Sequence, residues 1–81
     1  MRQVLTHPAQ MGRIIASRRR ALKLSQRALA AKLAISQNRL SEIEADTSTL
    51  PLERLLEISN LLGLDLTIQN RQPKPSAKDD W

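Results

Sequence analysis

Two serines, Ser25 and Ser36, each stand directly before a run with apolar residues at helical spacing, in the stretch SQRALAAKLAISQNRLSEIE. A serine hydroxyl in that position accepts from the free N–H groups of a first helical turn, so each is expected as an N-cap. The chain is thereby committed to two short helices of about eight to nine residues, joined by about three residues around Ala34 and Ile35. Leu29, Ala30 and Leu33 face inward from the first, and Leu40 and Ile43 from the second. Neither helix has the acid that completes a capping box, because Ala28 and Arg39 occupy those places.

The remaining elements follow from the same signals. Pro8 suits a first helical turn, where its missing N–H would be unpaired anyway, and predicts a helix over residues 8–22 with Met11, Ile14, Ile15 and Leu22 as its stripe. His7, the only histidine and next to a proline, reads as a helix-start or surface residue. ADTST is a polar connector. Thr49 is expected to cap a last helix with Pro51 in its first turn and a broad face of Leu52, Leu55, Leu56, Ile58, Leu61 and Leu62. Gly63 would end it in the left-handed manner. With no Phe or Tyr, and Trp81 the only aromatic, the core must be aliphatic, which favours helices packed on helices.

Beyond Gly63 the period changes to two. Leu64, Leu66 and Ile68 alternate with Asp65, Thr67 and Gln69, the pattern of a strand. No second candidate strand exists in the chain, so the expected partner is the same segment of a second copy across a two-fold axis; an extended segment lying on its own core is the alternative. At 81 residues, a small single core would also gain from dimerisation. The expectation is one domain over residues 1–69 and a proline-rich, charged tail over residues 70–81. Trp81 ends that tail, and tryptophan is enriched among interface anchors, so the tail reads as a peptide that docks on another protein.

Charge is informative by position. Residues 1–41 hold nine Arg and Lys and no acid, whereas residues 42–81 hold four bases and eight acids. A basic half points to a polyanion, nucleic acid before an anionic membrane surface. The absence of cysteine excludes a disulfide framework and a thiol nucleophile. One histidine and scattered acids assemble no catalytic constellation and no metal site, so neither an enzyme nor a cofactor is expected. No apolar run approaches the roughly 20 residues needed to span a bilayer. A soluble bacterial cytoplasmic protein, found at the nucleoid where it binds, is the default expectation.

Two short helices behind a longer basic one make a helix-turn-helix pattern, in which the second helix points its first turn into the major groove. That gives SQNR a use. Gln37 and Asn38 carry amides that donate and accept together, matching adenine, and Arg39 can reach guanine or a phosphate. Ser36 is placed for a phosphate oxygen, Ser41 for base or phosphate, and Gln26 for the flanking backbone. Glu42 either accepts from the cytosine amine or repels the backbone.

LSQRALAAKLAISQNRLSEIE followed by LERLLEISNLLGLDL resembles the Xre-type, Cro/C1 phage-repressor helix-turn-helix family over about residues 8–64. The resemblance implies an all-α bundle of four to five helices, a homodimer on a palindromic operator in double-stranded DNA, and base reading by Gln37 and Asn38 with Gln26 on a phosphate. It also implies a structural ion pair between Arg19 and Glu44. Ala34 departs from the family, which usually has glycine there. The strand and the terminal Trp81 resemble HipB-type antitoxins, which implies a dimer joined by a small intermolecular sheet through Leu64, Leu66, Thr67 and Ile68. It further implies a HipA-type serine/threonine kinase toxin as partner, held by Trp81, and repression of the chain's own operon.

Overall fold

The computed structural model describes residues 2–71, which form four helices: α1 (Pro8–Ala21), α2 (Gln26–Leu33), α3 (Gln37–Ala45) and α4 (Leu52–Leu61). The class is all-α. α1 opens on His7, whose Nδ1 accepts from the Ala9 N–H at 3.1 Å, while the Gln10 Oε1 accepts from the His7 N–H at 3.0 Å. This reciprocal pair is a capping box built from His and Gln rather than Ser and Glu. Gln10 also restrains the segment before the helix: Oε1 accepts from the Thr6 N–H and hydroxyl, and Nε2 donates to the Val4 carbonyl.

Both serines cap as expected. Ser25 Oγ accepts from the Ala28 N–H at 2.9 Å and Ser36 Oγ from the Arg39 N–H at 3.0 Å. Between the helices Ala34 is left-handed, with φ 57° and ψ 41°. That conformation lets the Ile35 N–H reach back to the Ala30 carbonyl at 3.0 Å, which closes α2 and turns the chain sharply into α3. Gly63 closes α4 in the same hand, with φ 70°.

The start of α4 differs from expectation. The N-cap is Pro51, extended at φ −61° and ψ 146°, and no side chain caps the helix. Capping by Thr49 would have required Leu50 to be helical, a conformation that the ring of the following proline disfavours. Thr49 lies instead within a turn closed by the Leu50 N–H on the Thr47 carbonyl.

Ile15, Leu29, Leu33, Leu40, Ile43, Ile58 and Leu62 are the fully buried apolar residues, with Met11, Ala16 and Ala30 around them. Leu22 is exposed just past the end of α1, contrary to its assignment to the apolar stripe, and Ile14 is only half-buried. The apolar face of α4 is wider than the core beneath it, leaving Leu52 66% exposed. α3 packs on both α1 and α2. The approach of α1 to α3 is close enough that a Cβ on Gly12 would collide with the Glu44 carbonyl, so only glycine fits there. Thr47 Oγ1 donates to the Pro8 carbonyl at 2.9 Å and fastens the far end of the same contact.

No strand is formed among the described residues. Residues 65–71 make no backbone–backbone hydrogen bond within the described chain. The expected alternation holds from Leu64 to Thr67, with Leu64 and Leu66 half-buried on the core and Asp65 and Thr67 exposed, but Ile68, expected on the side of the leucines, is exposed as well. A ladder needs a second strand, and the described residues contain none. Arg2 donates to Gln69 Oε1 at 3.2 Å, so the segment before α1 lies beside this extended stretch.

Ala34 carries a Cβ in a backbone region that costs alanine about 1 kcal/mol relative to glycine. Ala34→Gly is therefore expected to stabilise the fold by about that amount, raising the melting temperature by about 4 to 8 °C for a domain of this size. Thermal unfolding followed by circular dichroism checks it, and an unchanged or lower midpoint contradicts it.

Candidate nucleic-acid interface

α3 is held from behind by an ion pair. Arg19 Nε donates to Glu44 Oε2 at 2.7 Å and its NH2 donates to Oε1 at 3.1 Å, a two-pronged contact with both side chains almost fully buried. The third guanidinium nitrogen donates to the Leu24 carbonyl at 2.9 Å, just before the Ser25 cap. One side chain of α1 thus grips both helices of the turn. The expected Arg19–Glu44 pair is present.

Gln26 extends this network to the outside. Its Nε2 donates to Glu44 Oε1 at 3.0 Å, and its Oε1 faces Gln37 Nε2 at 3.5 Å. Gln26 therefore sits between the buried carboxylate and the first residue of α3. Its position on the flank of the turn agrees with the sequence reading, and its second amide hydrogen is free for an external acceptor.

Asn38, Ser41, Glu42 and Ala45 fall at one-turn intervals on α3 and are all exposed, opposite the buried Leu40 and Ile43. Gln37 lies at the edge of this stripe toward Gln26. Ser36, exposed at the N-terminus of the helix, spends one acceptor position on its own cap. Arg39 lies on the other edge: it is half-buried, borders a groove with Ile35, Leu50 and Arg54, and donates to Glu42 Oε1 at 3.3 Å. Of the residues chosen from sequence, Ser36, Gln37, Asn38 and Ser41 are exposed, and Gln26 is half-buried beside Gln37. Arg39 is turned toward α4.

The arginine run of α1 is divided between tasks. Arg18 donates to the Leu62 carbonyl at 2.8 Å and holds the end of α4, while Arg19 is buried. Only Arg20 of the three is exposed, with Arg13, Lys23, Arg27 and Lys32 the other exposed bases between residues 8 and 35. Sequence reasoning missed the roles of Arg18, Gly12 and Thr47. It also missed Arg54, which donates to the Leu33 carbonyl at the end of α2 and pairs with Glu57. A glycine inside the helical pattern was a readable sign of close backbone approach. Nothing separates Arg18, Arg19 and Arg20 in sequence.

Leu64, Leu66, Thr67 and Ile68, assigned to a dimer strand, lie away from this face, and Ile68 is wholly exposed. Trp81 and the tail to which it belongs lie outside the described residues. No helix among the described residues is long and apolar enough to cross a membrane.

A helix-turn-helix with capped helices, a braced second helix and a polar outward stripe is a DNA-binding unit. A family model described as helix-turn-helix, of the Cro/C1 type, matches residues 15–69, and the chain belongs to that family. It is a DNA-binding transcription regulator. No curated protein matches the chain.

Burial raises the pKa of Glu44, but hydrogen bonds from Arg19 and Gln26 and the charges of Arg19 and Arg20 outweigh it, so the group lies below the ordinary value of 4.5. Because the folded value is the lower one, this contribution to stability is fully present above about pH 4.5 and is lost as pH falls through the folded value. Denaturant unfolding between pH 6 and 3 is expected to show that acid loss. Glu44→Ala should lower stability by about 3 to 5 kcal/mol at neutral pH by leaving Arg19 buried without its partner, and should flatten the acid limb. An acid limb of unchanged slope in the variant contradicts the assignment.

Proposed function

We propose that this regulator is a sequence-specific repressor that binds a palindromic operator as a homodimer. The observation that carries the reading is the exposed amide pair on the first turn of a helix braced by the Arg19–Glu44–Gln26 chain. Side chains that read base edges must be aimed before contact, and here Gln37 meets Gln26, which is anchored in the fold. In the helix-turn-helix docking geometry the first turn of α3 enters the major groove, where Gln37 and Asn38 match the N7 and N6 of adenine. Ser36, the free N–H groups at the start of α3, and Ser41 take phosphate oxygens, and the exposed bases of α1 and α2 supply the long-range attraction. The second copy joins through residues 64–68, of which 65–68 make no backbone–backbone hydrogen bond among the described residues and whose sequence alternation suits a two-stranded ladder.

Affinity for the duplex upstream of its own gene is expected to fall steeply with salt, by about a thousandfold between 50 and 200 mM if about six phosphates are contacted. Gln37→Ala and Asn38→Ala should each cost about 1 to 3 kcal/mol at particular base pairs while leaving affinity for random duplex almost unchanged. Fluorescence-anisotropy titrations measure both. Salt-insensitive binding, or no preference over random duplex, defeats the reading.

The reading extends to a HipB-type antitoxin that represses its own operon and holds a HipA-type kinase toxin, on the strength of the 64–68 alternation and Trp81 at the end of the tail. An Xre-type repressor with no toxin partner accounts equally for residues 2–71. Copurification from the native context separates the two. The antitoxin reading expects a kinase encoded beside this gene to be retained by the full chain and lost on deletion of residues 71–81, with operator binding intact; retention of no kinase by the full chain favours the simple repressor.

A further inference from the structure

The outward stripe of α3 contains one acid. Glu42 stands between Ser41 and the buried Ile43, one turn beyond Asn38, and its side chain is 68% exposed. A carboxylate there faces a polyanion and can only accept hydrogen bonds, so phosphates offer it nothing. Donors in the major groove are the adenine and cytosine amines. Adenine presents its amine beside the acceptor N7, which suits an amide; cytosine presents the N4 amine without such a neighbour, which suits an acceptor-only group.

The neighbourhood of Glu42 supports the same use. Arg39 donates to Oε1 at 3.3 Å, which leaves Oε2 free. The guanidinium lies on the α4 side of the stripe, bordered by Ile35, Leu50 and Arg54, so it offsets the charge of Glu42 without occupying the outward face. The rise from Asn38 to Glu42 is about 6 Å along the helix, or about two base-pair steps.

We propose that Glu42 is a specificity-determining residue that accepts a hydrogen bond from the N4 amine of a cytosine within about two base pairs of the base read by Asn38. Arg39 acts as its positioning residue rather than as a reader of guanine. The inference rests on the operator-binding reading above and adds to it the base class at one position.

Selection of bound duplexes from a randomised pool, using the full chain and its Glu42→Gln, Glu42→Ala and Arg39→Ala variants, tests it. The parent chain is expected to enrich a site with cytosine at one position near the adenine contact. Glu42→Gln, which can donate as well as accept, should move that position toward adenine, and Glu42→Ala should lose about tenfold of the preference there. Arg39→Ala should blunt the same position and no other. Melting temperatures close to that of the parent chain show that the substitutions leave the fold intact. If Glu42→Gln and Glu42→Ala keep the parent site and bind every duplex more tightly, the carboxylate only repels the backbone and the proposal is overturned while operator binding stands. If the parent chain enriches no site at all, the operator reading is overturned, and this inference with it.

Discussion

The seam between α1 and α3 is the constraint on which the remaining geometry depends. Gly12 lets the two backbones meet, Thr47 ties the loop after α3 to the first residue of α1, and Arg19 reaches across to Glu44. A core of leucine, isoleucine, alanine and one methionine is non-directional and would tolerate small slides of one helix on another. The two-pronged ion pair does not tolerate them, because both guanidinium nitrogens must meet both carboxylate oxygens. A buried ion pair adds little net stability compared with a well-packed apolar alternative. Its effect here is on register: the amides of the reading helix have a fixed distance from the body of the protein.

Arginine does a second task that net charge conceals. Arg18 and Arg54 donate to the carbonyls of Leu62 and Leu33, at the ends of α4 and α2, and Arg19 donates to the Leu24 carbonyl in the connector before α2. The Leu62 and Leu33 carbonyls lack intrahelical donors and lie at the negative end of a helix dipole, so a cation satisfies both needs. The basic half of the chain is therefore partly structural. The charge available to a duplex is the exposed remainder on α1 and α2, not the whole excess counted along the sequence.

Local signals were the legible ones. Ser25, Ser36, Pro8 and Gly63 act through their own backbone neighbours, and each marks its helix end where the sequence implied. The left-handed turn at Ala34 and the Arg19–Glu44 pair came from resemblance to a family; spacing alone did not reveal them, since two residues 25 positions apart carry no mutual signal. Thr49 has a good capping side chain, but Pro51 keeps Leu50 out of the helical conformation that capping would need. Leu52 and Leu22 show a further limit: helical spacing says which residues share a face, but not how far the neighbouring helix extends beneath it. The alternation at residues 64–68 was visible, but no second strand stands beside it among the described residues.

The hydrogen bond between the side chains of Arg2 and Gln69 brings together two points 67 positions apart in the sequence. A short glycine-serine bridge could therefore join these points, and new ends could be opened in the exposed turn before Pro51. A gene rearranged in this way over residues 2–69 would keep the capped turn of α2 and α3 uninterrupted, because that unit lies wholly between residue 2 and the new opening.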